Sequence, residues 1–359
     1  MHLLLLGGGH AHALALLDWC TRPPPGVTLT LISRDRVSPY SGMLPGLIAG
    51  LYCHDDIHID LAKLAERAGA RFIVDDILGI DATAQTVTTR KGQHAFDIAS
   101  IDLGSVPERR HVAGVTTRDL APKPLAPFLS QLGGIAASGT PLSLAIVGGG
   151  PAGFELALAL SHRLSAQLTS LTLLTDAPDI LMALPPRARR LAWCKLRERR
   201  IEVLTSVRVL SRDDQGLRLE DGRLCPANHV VWASGAAPAL DLSTSGLALD
   251  AGGFVRVHPT LQSLTSERIF VSGDMASFDP PRPKAGVQAV RQAPILAQNI
   301  RNYVAGHPLL SHNPHGDMLV LLSNADGSAI GARSGLTLDG RLVWWLKDAI
   351  DRRFMARFA

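Results

Sequence analysis

The strongest constraint on this chain is that one strand–turn–helix pattern occurs in it twice. Residues 143–160 read SLAIVGGGPAGFELALAL, and residues 3–17 read LLLLGGGHAHALALL. In each, a short apolar run suits a strand buried on both faces of a parallel sheet. A glycine turn then opens an amphipathic helix. Glycine lets the backbone approach a pyrophosphate, and the helix N-terminus offers it N–H groups and positive dipole. Two such turns in 359 residues predict two dinucleotides held side by side, an arrangement suited to electron transfer.

The second turn is the complete one. Gly148, Gly150 and Gly153 satisfy G-x-G-x-x-G, and the next strand, residues 171–175, ends beside Asp176. An acid belongs there for the adenosine ribose; Asp176 lies one residue late, which leans toward NAD over NADP. Arg187, Arg189 and Arg190 either grip a 2′-phosphate or form a solvated helix face. Glu155, inside the helix, either positions a nicotinamide or makes a helix ion pair.

The first turn departs from the pattern. It keeps Gly7 and Gly9, but His12 stands where the third glycine belongs and calls for looser helix–strand packing. The strand after it, residues 27–32, ends on Ser33, Arg34 and Asp35 rather than on the expected acid. Alone, this turn also reads as a structural βα connection without ligand.

The rest of the chain supplies context. Residues 40–50, YSGMLPGLIAG, read as a linker or as a loop passing close to a flat ligand. A helix is expected over 60–69, a strand over 71–80, a hairpin over 86–96 with its tip at Lys91-Gly92, and a strand over 98–104. Proline-rich residues 105–124 mark a boundary. Beyond the second turn come a helix over 192–200, strands over 201–204, 207–211 and 217–219, and a strand over 229–233. A strand over 269–271 closes on Ser272-Gly273-Asp274, where the acid suits a polyol chain or a helix N-cap. A long helix is expected from Lys284 through Arg301. The tail gives strands with a turn at Asp339-Gly340 and a helix from Trp344.

Composition excludes several classes. At 46% hydrophobic and 19% charged residues the chain can bury large cores and is not disordered. Its net charge of +4 carries no basic run interleaved with aromatics, so nucleic acid is not an expected partner. Cys20, Cys53, Cys194 and Cys225 show no metal-ligand spacing, no metal is expected, and reduced thiols point to the cytoplasm. The N-terminal leucines lack a basic flank and a cleavage site, unlike a signal peptide, and no apolar run reaches transmembrane length.

The order of motifs resembles the FAD-dependent pyridine nucleotide–disulfide oxidoreductase superfamily. Disulfide reductases of that superfamily need a CxxxxC pair, which is absent. Type II NADH dehydrogenases need none, and their A-Q-x-A-x-Q motif is similar to residues 287–292, VQAVRQ, with Gln288 and Gln292 kept; their helix glutamate matches Glu155. Nearly the whole chain resembles the oxidoreductase module found fused to selenophosphate synthetase. The likeness rests on GGGHAH (7–12), LISRDRVSPYSGMLPGLIAG (31–50), IDLGS (101–105), Lys123-Pro124, VWASGA (231–236), PKAGVQAVRQ (283–292) and LKDAIDRRFMARF (346–358). That family shares the His12 and second-strand departures.

The resemblance implies an α/β fold of two Rossmann-like, three-layer, glutathione-reductase-like domains. The FAD domain would comprise residues 1–118 and 241–310, the inserted NAD(P)H domain residues 119–240, and a short α+β extension residues 311–359. FAD would run over Gly7, Gly9, His10, Ala11, His12, Ser33, Arg34, Ser41, Gly42, Met43, Pro45, Ile77, Gly104, Ser105, Gly273, Asp274, Lys284, Val287 and Gln288. NADH or NADPH would lie on Gly148, Gly150, Gly153, Asp176 and Gly235. Glu155, Lys123, Lys284 and Gln288 are the catalytic candidates, the lysines as counter-charges to reduced flavin or simply as exposed side chains. The expected activity passes hydride from NAD(P)H to a quinone-like acceptor. The alternatives are a flavin reductase of selenium or sulfur metabolism, functionally linked to selenophosphate synthetase, and a low-turnover flavin-bound sensor or partner protein. The last helix, with Leu346, Ile350, Phe354 and Phe358 at four-residue spacing and Trp344 and Trp345 nearby, carries Lys347, Arg352, Arg353 and Arg357 on its other faces. It suits peripheral contact with an anionic membrane, or it packs its apolar stripe on its own domain.

Overall fold

The computed structural model describes residues 1–313 and 318–359. Two parallel sheets dominate it. The first has the order Ile269–Val271, Ile98–Ile101, His2–Leu6, Thr28–Ser33, Arg71–Val74. Leu3 to Leu6 are fully buried within it, as an apolar run covered by helices on both faces should be. The second has the order Glu202–Leu204, Leu168–Leu174, Leu142–Val147, His229–Trp232. After completing the second sheet the chain returns, and Ile269–Val271 pairs with Ile98–Ile101 of the first. Each glycine turn therefore follows the central strand at which its sheet's order reverses, the place where open α/β sheets bind ligands.

Local chemistry sets the boundaries. Asp60 caps the helix Leu61–Arg67 by accepting from the amides of Ala62 and Lys63, as an N-cap aspartate should. The single strand expected over 71–80 is two, Arg71–Val74 in the first sheet and Ile77–Asp81 in a separate antiparallel sheet. Asp75 is buried between them and accepts from the amides of Asp76 and Lys91. The helix expected over 192–200 is Pro186–Glu198; proline at its start is an ordinary first-turn residue.

The tail also differs from expectation. Its antiparallel sheet, Val320–Ser323, Ala329–Arg333, Leu336–Gly340, reverses at Ser334-Gly335 rather than at Asp339-Gly340. The last helix begins at Arg341, not Trp344, and runs to Met355. Its apolar stripe divides between the two expected placements: Leu346 and Ile350 are exposed with Leu342 and Trp345, Phe354 and Phe358 pack against the core, and Val343, Lys347 and Asp351 face inward. No described helix is long and apolar enough to cross a membrane.

Candidate functional site

The two turns are built alike at their first glycines. Gly7 has φ +97° and Gly148 φ +131°, left-handed values that favour glycine. A Cβ on Gly7 would meet the Asp102 carbonyl oxygen at 2.5 Å, and one on Gly148 the Ala233 carbonyl oxygen at 2.3 Å. At the third position they part. A Cβ on Gly153 would lie 1.8 Å from the Gly148 carbonyl oxygen, so helix Pro151–Arg163 rides directly on its own turn. Gly150 faces open space on the outer side of that turn, and Asp176 is exposed at the end of the neighbouring strand. This arrangement fits a dinucleotide phosphate approaching backbone alone.

In the first turn the His12 side chain occupies the space between helix and sheet. It is fully buried and spans the gap, with Nδ1 2.7 Å from the Gly7 carbonyl oxygen and Nε2 2.8 Å from Ser100 Oγ. Because a carbonyl only accepts, Nδ1 carries the proton and Nε2 accepts from the serine. Burial holds the imidazole down to about 4, so it is neutral. His12→Ala is expected to lower unfolding free energy by about 2–4 kcal/mol, through a cavity and an unpaired carbonyl and hydroxyl. Urea denaturation checks this, with circular dichroism to confirm that the fold persists.

Asp102 is the residue the sequence did not single out. It follows strand Ile98–Ile101 and is 2% exposed. Its Oδ2 accepts from the amides of Ala11 (2.9 Å) and His12 (3.1 Å). Burial first, and Asp274 nearby, push its carboxyl up to about 6, against the pull of those amides. A buried aspartate directly after a central strand is the signal that could have found it.

Around Asp102 lies a connected polar group. Asp274, in the turn Gly273–Met275, accepts from Ser105 Oγ (2.6 Å) and Lys123 Nζ (3.1 Å). Burial works against its ionisation, but Lys123 and Ser105 hold it below the usual carboxylate range. Its side chain is thus engaged by the Lys123 ammonium and Ser105, not by a helix cap. Lys284 donates to the Ala276 carbonyl (2.7 Å) with its ammonium 3.9 Å above the Phe254 ring, so it is not a freely exposed lysine; burial lowers its pKa. His10 packs edge-on to Tyr40 and Phe354, and its buried Nε2 has no partner among the described residues. Gln288 is buried with Oε1 unpartnered, while Gln292 accepts from the Gly273 amide at 2.7 Å. Gly104, at φ +73°, faces open space. Orphaned buried polar atoms beside bare glycine backbone fit a large polar cofactor with a polyol chain.

The remaining expected residues are more scattered. Ser33 is buried at the end of its strand and Arg34 is exposed beside Asp35. Met43 and Pro45 are buried, Ser41 and Val287 exposed, and Gly42 lends its carbonyl to Lys347. Ile77 sits in the small antiparallel sheet, and Gly235 is exposed past the second sheet. Arg189 pairs with Asp179 at 2.7 Å.

Glu155 makes no ion pair along its own helix. Its Oε1 accepts from the Ser323 amide at 2.7 Å, which joins the second glycine-turn helix to the C-terminal sheet. Burial pushes it up to about 7, with Lys347 opposing and Asp351 adding to the rise. Lys347, 5% exposed, donates to the Gly42 carbonyl and to Asp351 Oδ2, both at 2.7 Å. Tyr40 donates to Asp351 Oδ1 at 3.2 Å. Glu155 thus ties the second glycine-turn helix to the C-terminal sheet, and Lys347 and Asp351 tie the last helix to the loop at Tyr40 and Gly42.

Known proteins agree with this architecture. The chain is 24% identical to a type II NADH:quinone oxidoreductase of Staphylococcus epidermidis, over 98% of this chain and 94% of that one. It is 27% identical to a demethylphylloquinone reductase of Synechocystis, over 94% and 88%. Its fold matches the crystal structure of the sulfide:quinone oxidoreductase of Aquifex aeolicus with a TM-score of 0.79 at 21% identity, covering 99% of this chain and 91% of that one. The pyridine nucleotide–disulphide oxidoreductase family model matches residues 1–293. The chain belongs to that family, and with it is an FAD-dependent oxidoreductase that draws its electrons from NAD(P)H.

Proposed function

We propose that the chain takes a hydride from NADH, in preference to NADPH, and hands the electrons to a quinone at a membrane surface. Residues 1–118 and 241–310 would hold FAD, and the inserted residues 119–240 the nicotinamide cofactor. Full-length similarity to proteins named for quinone reduction supports the acceptor class. The observation that carries it is the juxtaposition in the C-terminal helix of an inward Lys347–Asp351 pair, next to Glu155, and an outward apolar face. A lipophilic acceptor needs both a non-polar approach and a proton source. The flavin, when bound, supplies two-electron chemistry toward the nicotinamide and electrons toward the acceptor. The chain's own work is alignment, water exclusion and charge. Lys123 and Lys284 would place positive charge beside the Asp274 turn, and Glu155 would hold a proton near neutral pH. All four cysteines are free thiols, and none is needed for this route.

Anaerobic stopped-flow mixing tests donor and acceptor together. NADH is expected to bleach the flavin absorbance, and a short-chain quinone mixed next to restore it within seconds. Flavin that NADH reduces but quinone leaves reduced would sink the acceptor reading; flavin that neither nucleotide reduces would favour a low-turnover sensor instead.

A further inference from the structure

The two glycine turns offer an internal comparison. Gly7 and Gly148 press against the residue that follows an adjoining strand, Asp102 in the first turn and Ala233 in the second. The backbone relation is the same, and the side chains differ by a carboxylate. In the second turn no described side chain bonds to the amides of Ala152 or Gly153. In the first, Asp102 Oδ2 already takes the amides of Ala11 and His12. The carboxyl is wedged in place: a Cβ on Gly9 would lie 2.2 Å from its Cγ, and one on Gly273 2.4 Å from its Oδ1. An internal anion therefore sits against the helix N-terminus where an FAD diphosphate is to bind.

We propose that Asp102 is an affinity-setting residue of the FAD site, and that the diphosphate binds with uptake of one solvent proton by its carboxyl. This rests on FAD occupying the first turn. Two anions cannot share one pair of amides in a buried setting without one being neutralised. The charged and titratable groups facing Asp102 leave it as the group that yields. His12 is neutral because burial holds it to about 4. Burial also lowers His10, against the attraction of Asp102. Asp274 is a second carboxylate, but Lys123 and Ser105 hold it ionised. Asp102 is already raised by burial, and an added diphosphate moves it further the same way. Above that range the free protein carries a charge that must be discharged on binding, so affinity falls as pH rises.

The test strips FAD from the protein and titrates it back by flavin fluorescence. Wild type is expected to lose at least about tenfold in affinity between pH 6 and pH 8. Asp102→Asn, of the same shape, should bind with little pH dependence and at least about tenfold tighter at pH 8. Calorimetry of wild type in two buffers of unlike ionisation enthalpy should show between about half and one proton taken up per FAD near pH 7.5. Equal pH slopes in wild type and Asp102→Asn would overturn the proposal, as would weaker binding by the variant at every pH. If the variant does not fold, the wild-type calorimetry decides alone, and no proton uptake overturns it. Protein that takes up no FAD at any pH overturns the cofactor assignment along with it. FAD bound tightly without proton uptake overturns only the role of Asp102.

Discussion

Glu155→Gln is expected to cut quinone turnover about a hundredfold, the scale of losing one positioned proton donor, while FAD stays bound. The substitution keeps the shape and an oxygen that still accepts from the Ser323 amide. It removes a carboxyl that burial has pushed up to about 7, close to working pH, where a group can both hold and release a proton. Flavin reduction by NADH should change less than about threefold, since no proton at Glu155 is needed for hydride to arrive. Wild-type quinone turnover should fall as pH rises through about 7, because the donor form is the protonated one. The variant's profile should lack that limb. The substitution's effect on stability is opposite in sign to its effect on turnover. The carboxyl binds its proton more tightly folded than unfolded, so wild type loses stability as pH rises from about 4.5 to about 7. At pH 8 Glu155→Gln should therefore be more stable by roughly 2–3 kcal/mol. A variant slower in quinone turnover yet less stable at pH 8 would mark Glu155 as a structural tie to Ser323. One with both NADH and quinone steps slowed equally would place it in nucleotide alignment.

How much of this was legible in the sequence follows the physics of each feature. Both central strands and both glycine turns were, because four apolar residues into glycines leave little choice of backbone. The embedding of the second domain followed from motif order, and the pairing of Ile269–Val271 with Ile98–Ile101 shows it in space. His12 was placed but its partners were not, since residue type alone does not reveal that Ser100 stands 2.8 Å away to receive it. Asp102 escaped notice for a related reason. Its meaning lies in the amides of residues 91 and 90 positions earlier, a relation that no local spacing encodes. The last helix was amphipathic in sequence, yet periodicity does not say which stripe faces in. Lys347 turned inward because Asp351 lies one turn on and the Gly42 carbonyl opposite, and a buried charge is tolerable only with such partners.

Peripheral membrane binding, if the chain has it, should depend on the apolar face that the last helix leaves outside. Leu336, Leu338, Leu342, Trp345, Leu346 and Ile350 are 76%, 69%, 74%, 61%, 50% and 42% exposed. Leu336 and Leu338 lie on the last strand, Leu336–Gly340, and the other four on the helix Arg341–Met355 that follows it. Exposed apolar residues gathered on consecutive elements suit a docking face, and exposed Arg341 and Arg353 on the same helix, with Arg357 just past its end, would favour an anionic one. The double variant Leu342→Asp, Trp345→Asp is expected to weaken binding to phosphatidylglycerol vesicles about a hundredfold. Two large apolar side chains bury about 3–5 kcal/mol between them on insertion, more than that loss requires. Because both residues point outward, fold and flavin content should be unchanged, and so should reduction by NADH. Turnover with a water-soluble quinone should persist while turnover with a long-chain quinone in vesicles falls with binding. Added salt should weaken wild-type binding in part, by screening the arginines. Unchanged vesicle binding by the double variant would refute the membrane assignment. A wild type that is dimeric in sedimentation, with the variant monomeric, would assign the same face to a second copy of the chain.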